Sequence, residues 1–210
     1  LIEIMRRLKL GKNIRIDGPA THAVKMGTPA MGGILIIGWT LLVSFVVNIV
    51  QVVQALETAE SVVIPLGVMV AYSILGGIDD YQGFRLRPGE GMRARVKIWI
   101  QLAISLVAAV LLYWLVNDGH GWVAVPTVRP LLDIGLLYIP MAVILITGSA
   151  NAVNLTDGLD GLAGLISATA FVAYGIIAFL QDQQFLVVFS FIVIGATFAL
   201  IVQDVRYVRT

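Results

Sequence analysis

Long uninterrupted apolar runs separated by short polar clusters dominate the chain. A membrane-crossing helix needs about 17–25 apolar residues, and six stretches meet that length: about 34–53, 62–78, 98–116, 131–150, 162–180 and 185–202. None alternates strictly between apolar and polar positions, so each reads as a helix rather than a barrel strand. The pattern predicts an all-α, polytopic transmembrane helix bundle occupying residues 1–210 as one membrane domain. Glycines inside the runs (Gly38, Gly67, Gly135, Gly175, Gly195) are expected at close helix contacts. Pro65 is expected in the first turn of its helix, and Pro140 is expected mid-span as a kink. Trp122–Arg129 alternates in part and carries Pro126, which predicts a short extended segment or hairpin on the extracytoplasmic side.

Composition agrees with this reading. The chain is 59% hydrophobic and 13% charged, with a mean hydropathy of +0.92, far outside the range of a water-soluble domain. The net charge of +1 says little, but its distribution is informative. Six Lys or Arg residues (Arg6, Arg7, Lys9, Lys12, Arg15, Lys25) precede the first run, five (Arg85, Arg87, Arg93, Arg95, Lys97) lie between the second and third, and Arg206 and Arg209 follow the last. Arg129 alone falls on the opposite side, with Glu57, Glu60, Asp118 and Asp182. The positive-inside rule therefore makes the basic face cytoplasmic. With no cysteine, disulfides and thiolate metal sites are excluded for these residues. The opening Leu1–Arg7 shows no apolar stretch followed by a cleavage site, and a first residue other than Met reads as a piece of a longer chain. There is no low-complexity segment and no clear internal repeat.

Two acidic clusters share the basic face. Ionisable groups beside a bilayer core are costly and usually functional. Asp79-Asp80 closes the second run after Gly76-Gly77. Adjacent carboxylates repel, so both stay ionised only with compensating cations or hydrogen bonds. Mg²⁺ suits such a pair, since it takes one or two carboxylates together with substrate phosphate oxygens. The plainer alternative is a solvated helix end flanked by Arg85 and Arg87. Asn151, Asn154, Asp157 and Asp160 recur every three residues, a spacing that puts neighbours on one side of a helical turn. Asp157-Gly158 and Asp160-Gly161 are also ordinary turn chemistry, but a turn alone does not call for both asparagines. Thr28-Pro29 reads as a helix start, and Lys25 either binds phosphate or sets topology. Arg93, Arg95 and Lys97 form a cationic opening to the third run, suited to a diphosphate or an anionic headgroup, with Lys97 the deepest of the three. His22 and His120 stand isolated, and His120 is expected to be external and uninvolved.

Taken together, these residues resemble the phospho-N-acetylmuramoyl-pentapeptide transferase family, within the polyprenyl-phosphate N-acetylhexosamine-1-phosphate transferases. The matching pieces are Asp17-Gly-Pro-Ala-Thr-His22, Lys25-Met-Gly-Thr-Pro-Ala-Met-Gly-Gly33, Gly77-Ile-Asp-Asp-Tyr81, Arg95-Val-Lys97 and Asn151-Ala-Val-Asn-Leu-Thr-Asp-Gly-Leu-Asp-Gly-Leu-Ala163. The last is long and specific, and the resemblance covers essentially the whole chain. It implies Mg²⁺-dependent transfer of phospho-MurNAc-pentapeptide from its UDP carrier to undecaprenyl phosphate in the bacterial inner membrane, with the active face cytoplasmic. It also implies a homodimer surrounded by membrane lipid, with no nucleic-acid partner.

Carried over residue by residue, Asp79, Asp80 and Asp157 are the catalytic candidates, with Asp80 and Asp157 as metal ligands. Lys25, Thr28, Lys97, Asn151, Asn154 and Asp160 are the substrate-binding candidates. One of Asp79 and Asp80 could serve as base, although a phosphate nucleophile is already anionic near neutral pH. Ala30 stands where the family usually has Thr, and Gly83 where it usually has Lys, with Arg85 as a substitute phosphate contact. The resemblance implies ten helices, of which the second to seventh would lie here, with a further Asp ligand and a His-rich motif beyond.

Alternatives are a sister enzyme using UDP-N-acetylglucosamine, an ion-coupled transporter, or a chain that is inactive alone. A transporter would place ionisable groups near span centres, whereas here they gather at one face.

Overall fold

The computed structural model describes residues 33–52, 60–83, 91–125, 131–156 and 161–208. Lys25, Thr28, Asp157 and Asp160, together with His22, Pro126 and Arg129, lie outside these described residues.

Six α-helices account for nearly all of the described chain: α1 (Gly33–Val52), α2 (Glu60–Tyr81), α3 (Ala94–Leu111), α4 (Tyr138–Thr156), α5 (Leu162–Leu180) and α6 (Gln184–Val208). The architecture is the expected all-α membrane bundle. Four helical segments are long and apolar enough to cross a bilayer: Val63–Tyr81, Ala94–Val116, Gly135–Thr156 and Leu162–Leu180. Helices α1 and α6 contribute the shorter apolar stretches Ile36–Val46 and Gln184–Ala199. Large apolar side chains such as Trp99, Trp114 and Leu155 stand exposed, an arrangement that hydrocarbon accepts and water does not.

The helices pack in chain order and close on themselves: α2 lies against α3, α3 against α4, α5 against α6, and α6 returns to α1. Phe189 and Val193 of α6 form the centre of the apolar core, with Leu66 of α2 and Phe171 of α5 around them. The Phe171 and Phe189 rings meet edge to face at 6.2 Å, a favoured aromatic geometry.

Beyond α3 the chain continues through a π-helical turn (Leu112–Val116), then a two-residue antiparallel ladder of β1 (Trp122–Val123) and β2 (Leu132–Asp133), then a 3₁₀ turn (Gly135–Leu137) into α4. The expected hairpin is present. Asp133 organises it: Oδ1 accepts from the Gly121 and Gly135 amides at 2.7 and 2.8 Å, and Oδ2 lies 3.1 Å from His120 Nδ1. His120 is therefore not isolated but part of this turn.

Three other local expectations are corrected. Helix α2 begins at Glu60, so Pro65 sits one turn inside it, where the missing N–H leaves the Ser61 carbonyl without its usual partner. Helix α4 begins only at Tyr138, so Pro140 lies in its first turn, where amides have no intrahelical acceptor anyway, and not at mid-span. Of the five glycines expected at helix contacts, only Gly175 makes one among the described residues: an added Cβ would sit 3.4 Å from Ser190 Cβ and from the Phe191 ring. Positions 38, 67 and 195 face open space, and Gly135 is in the 3₁₀ turn. Gly164 is a close contact that the sequence did not signal, its added Cβ falling 3.0 Å from Ile201.

Candidate functional site at the α2, α3 and α4 ends

Side-chain contacts set the helix directions. Asp79 and Tyr72 of α2 reach Lys97 and Ser105 of α3 respectively, so these helices run antiparallel. Asn151 and Thr147 of α4 reach Gln101 and Ser105 of α3, so this pair is antiparallel as well. One end of the bundle therefore holds the C-terminus of α2, the N-terminus of α3 and the C-terminus of α4. Asp79, Asp80, Lys97, Asn151 and Asn154 all fall at that end, as the sequence predicted, and the β1–β2 ladder marks the other.

Asp79 is half-buried and held on both oxygens. Oδ2 pairs with Lys97 Nζ at 2.8 Å, and Oδ1 accepts from the Met92 amide at 2.7 Å. Helix electrostatics explain the exchange. A carboxylate at the C-terminus of α2 and an ammonium near the N-terminus of α3 each oppose the dipole of their own helix. Brought together, each charge sits at the favourable end of the neighbouring helix. Gly91 makes the approach possible: it has φ +64°, and a Cβ there would lie 2.9 Å from Asp79 Oδ1. Asp80 is exposed beside this pair, and Arg93 and Arg95 are exposed at the start of α3.

Asn151 is half-buried one turn before the end of α4. Its Nδ2 donates to Gln101 Oε1 at 2.9 Å and to the Thr147 carbonyl at 2.8 Å. Asn154 is exposed one turn further on.

The sequence reading missed the residues beneath these. Lys97, Gln101 and Ser105 occupy positions i, i+4 and i+8 of α3, one stripe of one helix face. Gln101 and Ser105 are buried, at 3% and 0% exposure. Ser105 Oγ lies 2.9 Å from the Tyr72 hydroxyl and accepts from Thr147 Oγ1 at 2.9 Å. Polar residues at helical spacing inside an apolar run were the available signal.

The described residues fit part of a metal site. Among them no group of three His, Asp or Glu side chains converges. Two adjacent carboxylates do match the number that Mg²⁺ takes from protein when substrate phosphates supply the rest. Asp79 is held by Lys97 and by the Met92 amide, and Asp80 is exposed beside it. Chemically, the end of the bundle offers a carboxylate pair, cations and amides, a donor set suited to a phosphate-bearing ligand.

The phospho-N-acetylmuramoyl-pentapeptide-transferase of Chloroflexus aurantiacus is 43% identical over 203 residues, covering 93% of this chain and 53% of that protein. The protein of the same name from Chloroflexus aggregans is 41% identical over 203 residues, covering 93% of this chain and 53% of its own length. The Bacillus subtilis protein of that name is 36% identical over 205 residues, covering 96% of this chain and 60% of its own length. The chain thus spans somewhat more than half the length of these curated relatives. Residues 62–207, which include every described site residue, match the model of glycosyl transferase family 4, and the chain belongs to that family.

Proposed function

We propose that the gene product carrying this chain is a phospho-N-acetylmuramoyl-pentapeptide transferase of the bacterial inner membrane, crossing it six times within these residues with the site on the cytoplasmic face. It transfers phospho-MurNAc-pentapeptide from UDP-MurNAc-pentapeptide to undecaprenyl phosphate, giving lipid I and UMP for peptidoglycan synthesis. The observation that carries this reading is the Asp79–Lys97 pair beside Asp80, at the same bundle end as Asn151 and Asn154. The names of the relatives favour the muramoyl substrate over UDP-N-acetylglucosamine.

In the reaction a lipid phosphate oxygen attacks the sugar-linked phosphorus, and the bond from that phosphorus to the UMP oxygen breaks. The nucleophile is anionic already, so the residues position and neutralise rather than remove a proton. Asp79 and Asp80 orient the lipid phosphate and the metal. Lys97, with Lys25 and Thr28, meets phosphate oxygens. Asn151, Asn154 and Asp160 hold the nucleotide-sugar, and Asp157 joins Asp80 at the metal. Bound Mg²⁺ supplies charge neutralisation on the phosphates.

The test is UMP release by the complete gene product in detergent micelles, with undecaprenyl phosphate, Mg²⁺ and either UDP-MurNAc-pentapeptide or UDP-N-acetylglucosamine. Release with the muramoyl donor alone is expected. Release with the acetylglucosamine donor alone would assign the sister reaction, and release with neither would overturn the reading. Full turnover by Asp157→Asn would remove that residue from the site.

A further inference from the structure

The amide of Asn151 is oriented by a residue that lies outside every motif singled out in the sequence. The Thr147 carbonyl can only accept, so the group beside it at 2.8 Å must be the NH₂ of Asn151. The second hydrogen of that NH₂ goes to Gln101 Oε1 at 2.9 Å. With both hydrogens committed inside the bundle, the amide plane is fixed and Oδ1 is left as the group that meets a ligand. Gln101 is 3% exposed, so this contact is shielded from water. A simple tie between α3 and α4 already exists one turn deeper, where Ser105 accepts from Thr147. Gln101 occupies the turn nearest the site, four residues after Lys97, which holds Asp79.

We infer that Gln101 is a positioning residue for nucleotide-sugar binding: it holds Asn151 so that the amide oxygen accepts a hydrogen bond from an N–H or O–H of the UDP-linked sugar. This rests on the reading of Asn151 given under Proposed function.

The experiment uses the complete gene product and compares Gln101→Met, Gln101→Glu, Asn151→Ala and the Gln101→Met/Asn151→Ala double variant. Losing one oriented hydrogen bond should raise KM for the UDP-sugar about tenfold in Gln101→Met. KM for undecaprenyl phosphate should stay within about twofold, as for independent sites. Gln101→Glu retains an acceptor oxygen at the same length and should recover most of the affinity. The double variant should be no worse than Asn151→Ala alone. Should Gln101→Met fail to fold, Gln101→Asn decides: it keeps a buried amide but is one methylene too short for the 2.9 Å contact, so the same KM rise is expected.

An unchanged UDP-sugar KM in the folded Gln101 variant, equal rises for both substrates, or additive losses in the double variant would each overturn the inference. An Asn151→Ala variant with normal KM would instead remove Asn151 from the binding site, and the inference with it.

Discussion

Breaking the Asp79–Lys97 pair is the perturbation that most directly tests the geometry of the site. Lys97→Met removes the ammonium and keeps most of the aliphatic stem that packs along the helix. Asp79→Asn removes the charge and keeps an oxygen for the Met92 amide. At 2.8 Å, unit charges attract by about 332/(20 × 2.8), or about 6 kcal/mol, at an effective dielectric constant of about 20. Desolvating each ion costs several kcal/mol in the other direction. The two side chains retain 21% and 23% exposure, so neither term applies in full. The net value should be that of a charged hydrogen bond, about 1.5–3 kcal/mol.

The assay is a double-mutant cycle on the complete gene product, with unfolding in micelles read for wild type, both single variants and the double. The expected coupling energy is at least about 1 kcal/mol, above the range of most exposed pairs. It should persist at high salt, because screening acts mainly on solvent-exposed charges. A coupling below about 0.5 kcal/mol, or one that vanishes with added salt, would show an ordinary surface pair. Neither charge would then be stabilised by the end of the neighbouring helix.

Three further outcomes follow from contacts elsewhere. Gly91→Ala places a side chain at φ +64° and 2.9 Å from Asp79 Oδ1, so thermal unfolding should show a loss of about 1–2 kcal/mol, with reduced UMP release. Ser105→Ala strands the Thr147 hydroxyl and leaves the Tyr72 hydroxyl only its longer contact with the Gln101 carbonyl at 3.4 Å, and should cost about 1–3 kcal/mol in the same assay. Asp133 is held below the ordinary carboxylate range, first by the Gly135 amide, then by the Gly121 amide and His120. A depressed folded value means that its contribution is complete above the unfolded value of about 3.9 and is lost as pH falls through the lower folded one. Hydrogen-exchange protection of the Gly121 and Gly135 amides should therefore drop only below about pH 4 in the wild type, and at every pH in Asp133→Ala.

The helices, the shared end of the described site residues and the hairpin were legible because each rests on a one-dimensional signal. Apolar run length marks a helix, and charge asymmetry assigns an end. Asp79 and Lys97 are 18 positions apart, yet antiparallel neighbours of similar length had to bring them to one end. Helix boundaries were less legible. Leu131–Leu137 is apolar enough to extend a span, but Asp133 captures two backbone amides and stabilises a turn instead. Hydropathy does not register that competition. The glycine contacts were misassigned for a related reason: glycine permits close approach at many positions, and the neighbouring helix decides which are used. Gly164 and Gly175 are filled by Ile201 and by Ser190 with Phe191.

Gln101, Ser105, Tyr72 and Thr147 were overlooked because each is a single polar residue in an apolar run, and only together do they form a seam. That seam bears on function through register more than through energy. Apolar faces associate weakly in lipid, and one interhelical hydrogen bond contributes only about 0.6 kcal/mol on average. Its geometry is nevertheless specific. Lys97, Gln101 and Ser105 meet α2 at two levels and α4 at two levels, so α3 cannot slide by one turn, about 5.4 Å, without breaking contacts on both sides at once. Such a slip would carry Lys97 away from Asp79 and Gln101 away from Asn151 by more than the length of a hydrogen bond. Phosphoryl transfer depends on holding nucleophile and donor in line far more than on covalent help from the protein. A buried ladder that locks the Asp79 end of α2 to the Asn151 end of α4 is the kind of frame that the proposed chemistry requires.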